Sequence, residues 1–282
     1  MWTQLVDLHS HSHHSDGLWS PAEMAKRAHA NGVKVWSLTD HDTSAGWSEA
    51  QIEAESLGIK FVPGVEITCA VELEPEKSLL EERQLSEPSS WHVLAYFPEG
   101  CSEEFESWLE SQKEARLPRM IAMIEALEQL GHSIDLEDVK KHAEGSLGRP
   151  HLARTMVEYG IVESVQQAFD EWIGDDGPAY RSRPLPSVCD AIEMVHEHGG
   201  ITSLAHSKYY CIQDEILMAH LVKIGMDCIE AFHHSHSDSM RYNLMNYGMP
   251  VTVGGDSHGT EHRPSPGGML VPIKHLHPCF HP

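Results

Sequence analysis

Asp7-Leu8-His9-Ser10-His11-Ser12-His13-His14-Ser15-Asp16-Gly17 is the stretch on which the fold and chemistry of this chain turn. The segment leading into it, Gln4 to Leu8, has the character of a short buried strand, so His9 and His11 project from one face near its end. Two adjacent imidazoles make half of a metal site. Asp16 follows in a Ser-Asp-Gly turn, which folds a carboxylate back towards the same ion. The competing reading is a His-rich surface stretch with no role, and the rest of the chain weighs against it.

Moving outward, Ser20, Pro21 and Glu23 form a capping box with proline at the first helical position, and Gly32 closes that helix. A strand over Lys34 to Leu38 runs into Thr39-Asp40-His41-Asp42, and Thr43 or Ser44 caps a second helix ending at Gly58. Then come a strand over Lys60 to Val62 and the segment Pro63-Gly64-Val65-Glu66-Ile67-Thr68. This alternation predicts a mainly parallel sheet or barrel. Residues 72 to 90, acidic and with two prolines, are expected to be an exposed excursion. A strand over His92 to Phe97 pairing back as a hairpin would bring His92 beside Glu66.

From about Glu99 to Arg183 the strand signal gives way to apolar residues at helical spacing, such as Met120, Ile124 and Leu127, which predicts an all-helical insertion. The expected organisation is a first part over residues 1–98, a helical cap over 99–185 and a second part over 186–282. Ser187 caps the helix that resumes the alternation. Strands over Gly200 to Ala205, Asp227 to Phe232 and Pro250 to Val253 then run into His206, into His233 and His234, and into Asp256-Ser257-His258.

With 282 residues and 40% hydrophobic content the chain can bury a large core without disulfides, and its six cysteines show no CxxC spacing. No run of 18 apolar residues and no signal-peptide pattern is present, so the expected location is cytoplasmic, away from membranes. A net charge of −23 disfavours binding long nucleic acid, so any phosphate must be held by local cations. The 22 histidines stand out, since neutral imidazole is a common transition-metal ligand. Histidines and carboxylates recur directly after strands, and in parallel α/β folds those strand ends share one face. The pattern points to a multinuclear metal site.

The pieces DLHSHSHHSDG (7–17), LTDHD (38–42), PGVEIT (63–68), WHVLAY (91–96), SLAHS (203–207) and GGDSHG (254–259) together resemble the polymerase and histidinol phosphatase (PHP) family of metal-dependent phosphoesterases. The resemblance implies an α/β fold, a distorted (β/α)7 barrel with the helical insertion, holding two or three divalent ions, usually Mn2+, sometimes Zn2+ or Fe2+. Carried over by position, the ligands are His9, His11, Asp16, His41, Glu66, His92, His206, Asp256 and His258. Glu66 bridges two ions, with Glu66, Asp256 and His206 the central catalytic group. Asp40 and Asp42 are expected to orient His41 rather than to bind metal.

The insertion, with SLGRPHLAR at 146–154, resembles the branch containing 3′,5′-nucleotide bisphosphate phosphatases and 5′-to-3′ exoribonucleases. In that branch it caps the metal site, which makes Arg149, His151, Tyr180 and Arg181 candidate phosphate contacts; Arg149 could instead pair with an acid. The chain departs from the family at Ser207 and Lys208, where proline is common, and in the length of the 72–90 loop. Lys208 is therefore a candidate pocket residue, and so is His236, from the group His233, His234 and His236. The implied reaction is hydrolysis of a nucleotide phosphate ester, or of a short 5′-phosphorylated oligonucleotide, by a hydroxide shared between metals. Histidinol phosphate phosphatase activity and a regulatory metal-binding module without turnover are the alternatives. Oligomeric state is not readable from the sequence.

Overall fold

A computed structural model describes residues 1–143, 145–260 and 263–282. The first half runs β1 (Trp2–Thr3), β2 (Val6–Asp7), α1 (Pro21–Ala30), β3 (Val35–Trp36), α2 (Trp47–Ser56), β4 (Lys60–Phe61), β5 (Gly64–Cys69), α3 (Lys77–Arg83) and β6 (Trp91–Tyr96). Five helices follow, α4 (Glu103–Glu114), α5 (Arg116–Gln129), α6 (Leu136–Lys140), α7 (Arg149–Glu158) and α8 (Val165–Ala168), the last running into a π-helical turn at Phe169–Ile173. The chain then returns through α9 (Val188–Glu197), β7 (Ile201–Leu204), α10 (Asp214–Ile224), β8 (Cys228–His233), α11 (Asp238–Met245), β9 (Val251–Gly254) and β10 (Val271–Pro272).

The fold is mixed α/β. Strands β2, β3 and β4 form a parallel sheet, while β5 to β9 form a five-stranded sheet in sequence order, antiparallel at β5–β6–β7 and parallel at β7–β8–β9. Backbone hydrogen bonds tie the two sheets at both margins. Leu8 N donates to Val253 O at 2.8 Å and Asp256 N to His9 O at 2.9 Å on one side; Glu66 N to Asp40 O and Asp42 N to Glu66 O do so on the other. Strands pinned on both flanks and buried on both faces read as continuous apolar runs, and Val6, Leu8, Val35, Ile229, Val251 and Val253 are all buried. Each fully buried aliphatic side chain contributes about 1.5–3 kcal/mol.

Local chemistry accounts for the helix starts. Ser20 accepts from Glu23 N ahead of Pro21, but Glu23 pairs with Arg27 instead of closing the capping box. Ser187 and Asp190 do cap α9 reciprocally. The expected cap of the second helix by Thr43 or Ser44 is corrected. Gly46 occupies the cap position without a side-chain bond, because Thr43 Oγ1 turns to Ala45 N and Ser44 Oγ to Glu106.

The 72–90 excursion is also less detached than its charge suggested. Glu74, Glu81, Glu82 and Glu87 are exposed, yet Leu80 is buried and Arg83 donates to Lys208 O at 2.6 Å. The helical stretch carries an apolar cluster of its own, built on Met123, Leu127, Leu152, Met156 and Ile173.

Candidate metal centre and phosphate cavity

The ends of the strands deliver the polar residues. Register pairs Thr68 with His92 across the β5–β6 hairpin, so Glu66, two residues from Thr68, is a same-face diagonal neighbour of His92. His92 Nδ1 accordingly lies 2.7 Å from Glu66 Oε1, and His206 Nε2 lies 2.8 Å from the same oxygen. The other oxygen, Oε2, faces a second set, with His11 Nε2 at 3.0 Å, His9 Nε2 at 3.2 Å and His41 Nδ1 at 3.3 Å. Asp256 Oδ1 lies 3.4 Å from His11 Nε2 and 3.5 Å from His9 Nε2, while Asp16 reaches His258 Nε2 at 3.2 Å and His41 Nε2 at 3.9 Å. All nine side chains singled out in the sequence meet here.

Backbone geometry aims several of them. His206 (φ 27°) and Asp256 (φ 51°) leave their strands in the left-handed region, unfavourable for a residue with a Cβ, at a cost of about 1–3 kcal/mol each. Gly254 is needed for the approach of β9, since a Cβ there would sit 2.2 Å from His9 Cβ. The Asp7 carboxylate, pushed up to about 6 by burial, accepts from the backbone N–H groups of His9, Gly255 and Gly267 and so ties the two ends of the chain beneath the site.

The charge distribution fits divalent cations. Burial opposes ionisation of Glu66, Asp16 and Asp256. The imidazoles around them, with Arg263 beside Asp256, nevertheless hold all three well below the ordinary carboxylate range. Burial also pushes His41 down to about 3 and lowers His206, leaving neutral rings with free lone pairs. For His11, burial is outweighed by the hydrogen bonds it donates to the Asp256 and Glu66 carboxylates, which raise it to about 10. His41 Nδ1 is buried without a hydrogen bond, and the Nε2 atoms of His9 and His11 face each other at 3.1 Å. Three ionised carboxylates and several convergent nitrogens buried together call for positive charge that protons on imidazoles supply poorly. The sets His9–His11–Asp256, His41–Glu66–His92 and His11–Asp16–His41–His258 each bring ligand atoms within 4.8 Å of one another.

Residues missed in the sequence hold this arrangement. Glu230, fully buried on β8, accepts from His9 Nδ1 at 2.8 Å and from His206 N at 2.8 Å, fixing two of the imidazoles at once. Its mid-strand position among apolar neighbours carried no motif signal beyond a carboxylate in a buried strand. His233 Nε2 lies 3.4 Å from Asp256. The expectation that Asp40 and Asp42 orient His41 is corrected. Asp40 binds Ser12 N, Ser12 Oγ and Ser15 Oγ at 2.5–2.7 Å, bracing the loop that carries Asp16. Asp42, held down to about 2 although burial opposes it, receives Arg116 at 2.6 Å and Arg183 at 2.7 Å.

A cavity of about 460 Å³ opens over the centre, between Glu66 and Asp256 on its floor and Arg149, Phe169, Tyr209 and Arg263 on its walls. A branch of about 170 Å³ leads to Arg116, Arg119, Arg149 and Arg183. Arg149 lines both and donates to Asp175 at 2.5 Å. Tyr180 lies beneath the guanidinium groups of Arg119 and Arg149, at 5.3 and 5.5 Å from its ring centre.

The other expected contacts sit elsewhere. His151 is buried and accepts from Gly148 N, closing the start of α7, and burial pushes it down to about 4. Arg181 donates to the carbonyls of Pro178 and Tyr180, and His236 binds Ala231 O and Lys208 N. Lys208 lies in the turn after His206 but does not line the cavity, where Tyr209 and Tyr210 do. Arg116, Arg119, Arg183 and Arg263 were not singled out. Arg154, within SLGRPHLAR, ties the insertion to the metal loop through Asp16 O at 2.6 Å.

A mixed α/β scaffold presenting convergent histidines and carboxylates, under an arginine-lined cavity, defines a protein whose site suits divalent metals. The PHP domain model matches residues 7–177, and the chain belongs to that family. It is 35% identical over 208 residues to a 5′-3′ exoribonuclease of Haemophilus influenzae, covering 74% of this chain and 70% of the relative. It is 28% identical to a 3′,5′-nucleoside bisphosphate phosphatase of Chromobacterium violaceum, over 94% of this chain and 90% of that one. A solved structure of a Chromobacterium violaceum amidohydrolase with bound sulfate superposes with a TM-score of 0.81 at 25% identity, covering 99% of this chain and 94% of that chain. These relatives are hydrolases, and this chain is an enzyme of the same kind.

Proposed function

We propose that the chain hydrolyses phosphate esters of small nucleotides, either removing a phosphate from a 3′,5′-bisphosphorylated nucleoside or cleaving short 5′-phosphorylated oligonucleotides. The observation that carries this is the division of Glu66, whose two oxygens each face a separate set of imidazoles in a cavity that continues to four arginines. His9, His11, Glu66 and Asp256 would hold one divalent ion, Glu66, His92 and His206 a second, and Asp16, His41 and His258 a third, with manganese the leading candidate. When bound, such ions acidify water and neutralise charge on phosphoryl oxygens. The protein's own part is to keep these carboxylates ionised and to hold the ring nitrogens convergent, and to offer Arg149 and Arg263 guanidinium groups to the phosphate. Glu66, Asp256 and His206 form the catalytic group in this reading.

The cross-sheet bonds at Leu8–Val253 and Asp42–Glu66 support treating the two sheets as one distorted (β/α)7 barrel. The separate apolar cluster supports residues 99–185 as a cap between barrel parts 1–98 and 186–282. No helix among the described residues is long and apolar enough to cross a membrane, and all six cysteines are free, in keeping with work in the cytoplasm.

The test is direct. Purified protein supplied with Mn2+ is offered a 3′,5′-bisphosphorylated nucleoside and a 5′-phosphorylated oligomer, and release of phosphate or of mononucleotide is followed. Activity on at least one is expected. Inactivity on both, with metal shown to be bound, overturns the reading.

A further inference from the structure

Asp175 joins two segments remote in sequence. Its Oδ1 accepts from Arg149 Nη1 at 2.5 Å and from Ser89 Oγ at 2.6 Å, and its Oδ2 accepts from Ser89 N at 3.3 Å. Arg149 is further held by Ile173 O at 3.2 Å, and the near end of the 72–90 loop is pinned by Arg83 on Lys208 O. The acidic loop is therefore fastened to the helical insertion beside the cavity, at an arginine that lines both the cavity and its branch.

The two sides of this fastening carry opposite charge. Inward lies the branch with Arg116, Arg119, Arg149 and Arg183, four guanidinium groups against the carboxylates of Asp42 and Asp175. Arg119 meets the carbonyl Arg181 O and the Tyr180 ring and, among the described residues, no carboxylate, so positive charge is left over for a ligand. Outward lies a hollow of about 350 Å³ that shares Ser86, Arg149, Phe169 and Asp175 with the main cavity but is lined by Asp170, Glu171 and Asp176. Asp170 and Glu171 accept from the amides of Gln166 and Gln167, which leave their charge uncancelled, and no Lys or Arg pairs with these three acids among the described residues.

We infer that Ser89, Arg149 and Asp175, with the carboxylates of Asp170, Glu171 and Asp176 outside them, form a length filter that admits a nucleotide carrying two phosphates and turns away a phosphodiester chain. The inference rests on the function proposed above and names what selects within it. A small bisphosphate places one phosphoryl group at the centre and the other among the inner arginines. A chain leaving past Arg149 meets its next phosphates against three exposed carboxylates with no cation paired to them among the described residues, and like charges there repel most at low salt. Loop and insertion supply the acids together, so the filter is a property of their junction.

The experiment compares kcat/KM for a 3′,5′-bisphosphorylated nucleoside and a 5′-phosphorylated decanucleotide, using wild type, the variant Asp170→Asn/Glu171→Gln/Asp176→Asn, and Ser89→Ala, each loaded with Mn2+. Wild type should prefer the bisphosphate. The triple variant should gain about tenfold on the decanucleotide, through KM, and stay within about twofold on the bisphosphate; the gain should shrink as salt rises. Ser89→Ala, which removes one donor to Asp175, should shift the ratio the same way and by less. A wild type equally efficient on both substrates, or a triple variant with an unchanged ratio, overturns the filter while leaving the hydrolase reading intact. A metal-loaded wild type inactive on both overturns the two together.

Discussion

The floor and the roof of the cavity are built by different means. On the floor, His9, His11 and Asp256 just beyond strand ends and Glu66 within β5 are fastened by backbone hydrogen bonds, are almost wholly buried, and face one another. On the roof, Arg116 and Arg149 open helices α5 and α7 and Arg183 comes from the coil before α9, and each is already engaged by a carboxylate, Asp175 or Asp42. The floor is a set of convergent carboxylates and imidazoles suited to cations, fixed by the scaffold. The roof is a set of cations partly satisfied from within, whose strength towards a ligand depends on which internal partner lets go. Substitutions on the floor should therefore act on turnover and metal, and substitutions on the roof on stability or KM.

Glu66→Gln tests that contrast most severely. Five imidazoles lie within 3.3 Å of its oxygens, and the amide keeps the volume while removing the charge that both sets share. Turnover should fall about 10³-fold or more with little change in secondary structure by circular dichroism. A variant retaining a tenth of wild-type turnover would remove Glu66 from the centre of the reaction.

Asp42→Asn should show the roof failing as structure. Two guanidinium groups lose the one carboxylate they share, which costs about 3–5 kcal/mol in urea unfolding. The pH dependence has a definite sign. With Asp42 held down to about 2 in the folded state, its contribution is complete above the unfolded value near 4 and is lost as pH falls from about 4 to about 2. Unfolding followed across that interval should show the wild type converging on the variant.

Much of the floor was legible because strand ends are places where sequence order and spatial order agree. A polar motif directly after an apolar run, as in Leu38-Thr39-Asp40-His41 or Val253-Gly254-Gly255-Asp256, names its own position on the shared face. Glu66 and Glu230 both stand inside strands; Glu66 was found because it belongs to the PGVEIT piece, whereas Glu230 belongs to no such piece, and only its contact with His9 reveals its work. The roof was less legible for a related reason. Helical spacing says which residues share a face, but it does not say which acid elsewhere in the chain an arginine meets. Asp42 with Arg116 and Arg183, and Asp175 with Ser89 and Arg149, are pairings between remote segments. His151 and His236 were drawn to the site by chemistry alone, whereas His151 Nδ1 and both ring nitrogens of His236 are taken by nearby backbone groups.

Glu230→Gln sharpens the comparison from beneath the floor. The amide can still meet His9 Nδ1 and His206 N, yet it no longer stabilises positive character on the ring of His9. Metal affinity should fall about 10- to 100-fold, read by competition with a chelating dye, with stability little changed. An unchanged affinity would reduce Glu230 to packing.

The smallest effect should separate neighbouring arginines of the roof. Arg181→Ala removes a guanidinium group that, among the described residues, reaches the carbonyls of Pro178 and Tyr180, while the bond from Arg119 to Arg181 O is kept by the backbone. Arg149→Ala removes a group that lines both the cavity and its branch. KM for the bisphosphorylated nucleoside should rise about tenfold or more for Arg149→Ala, a loss in the range of a charge-assisted hydrogen bond, and stay within about twofold for Arg181→Ala. Equal shifts would mean that the roof acts through its general positive field. A shift confined to Arg149 would mean that phosphate is gripped at one place, by the group that must first release Asp175.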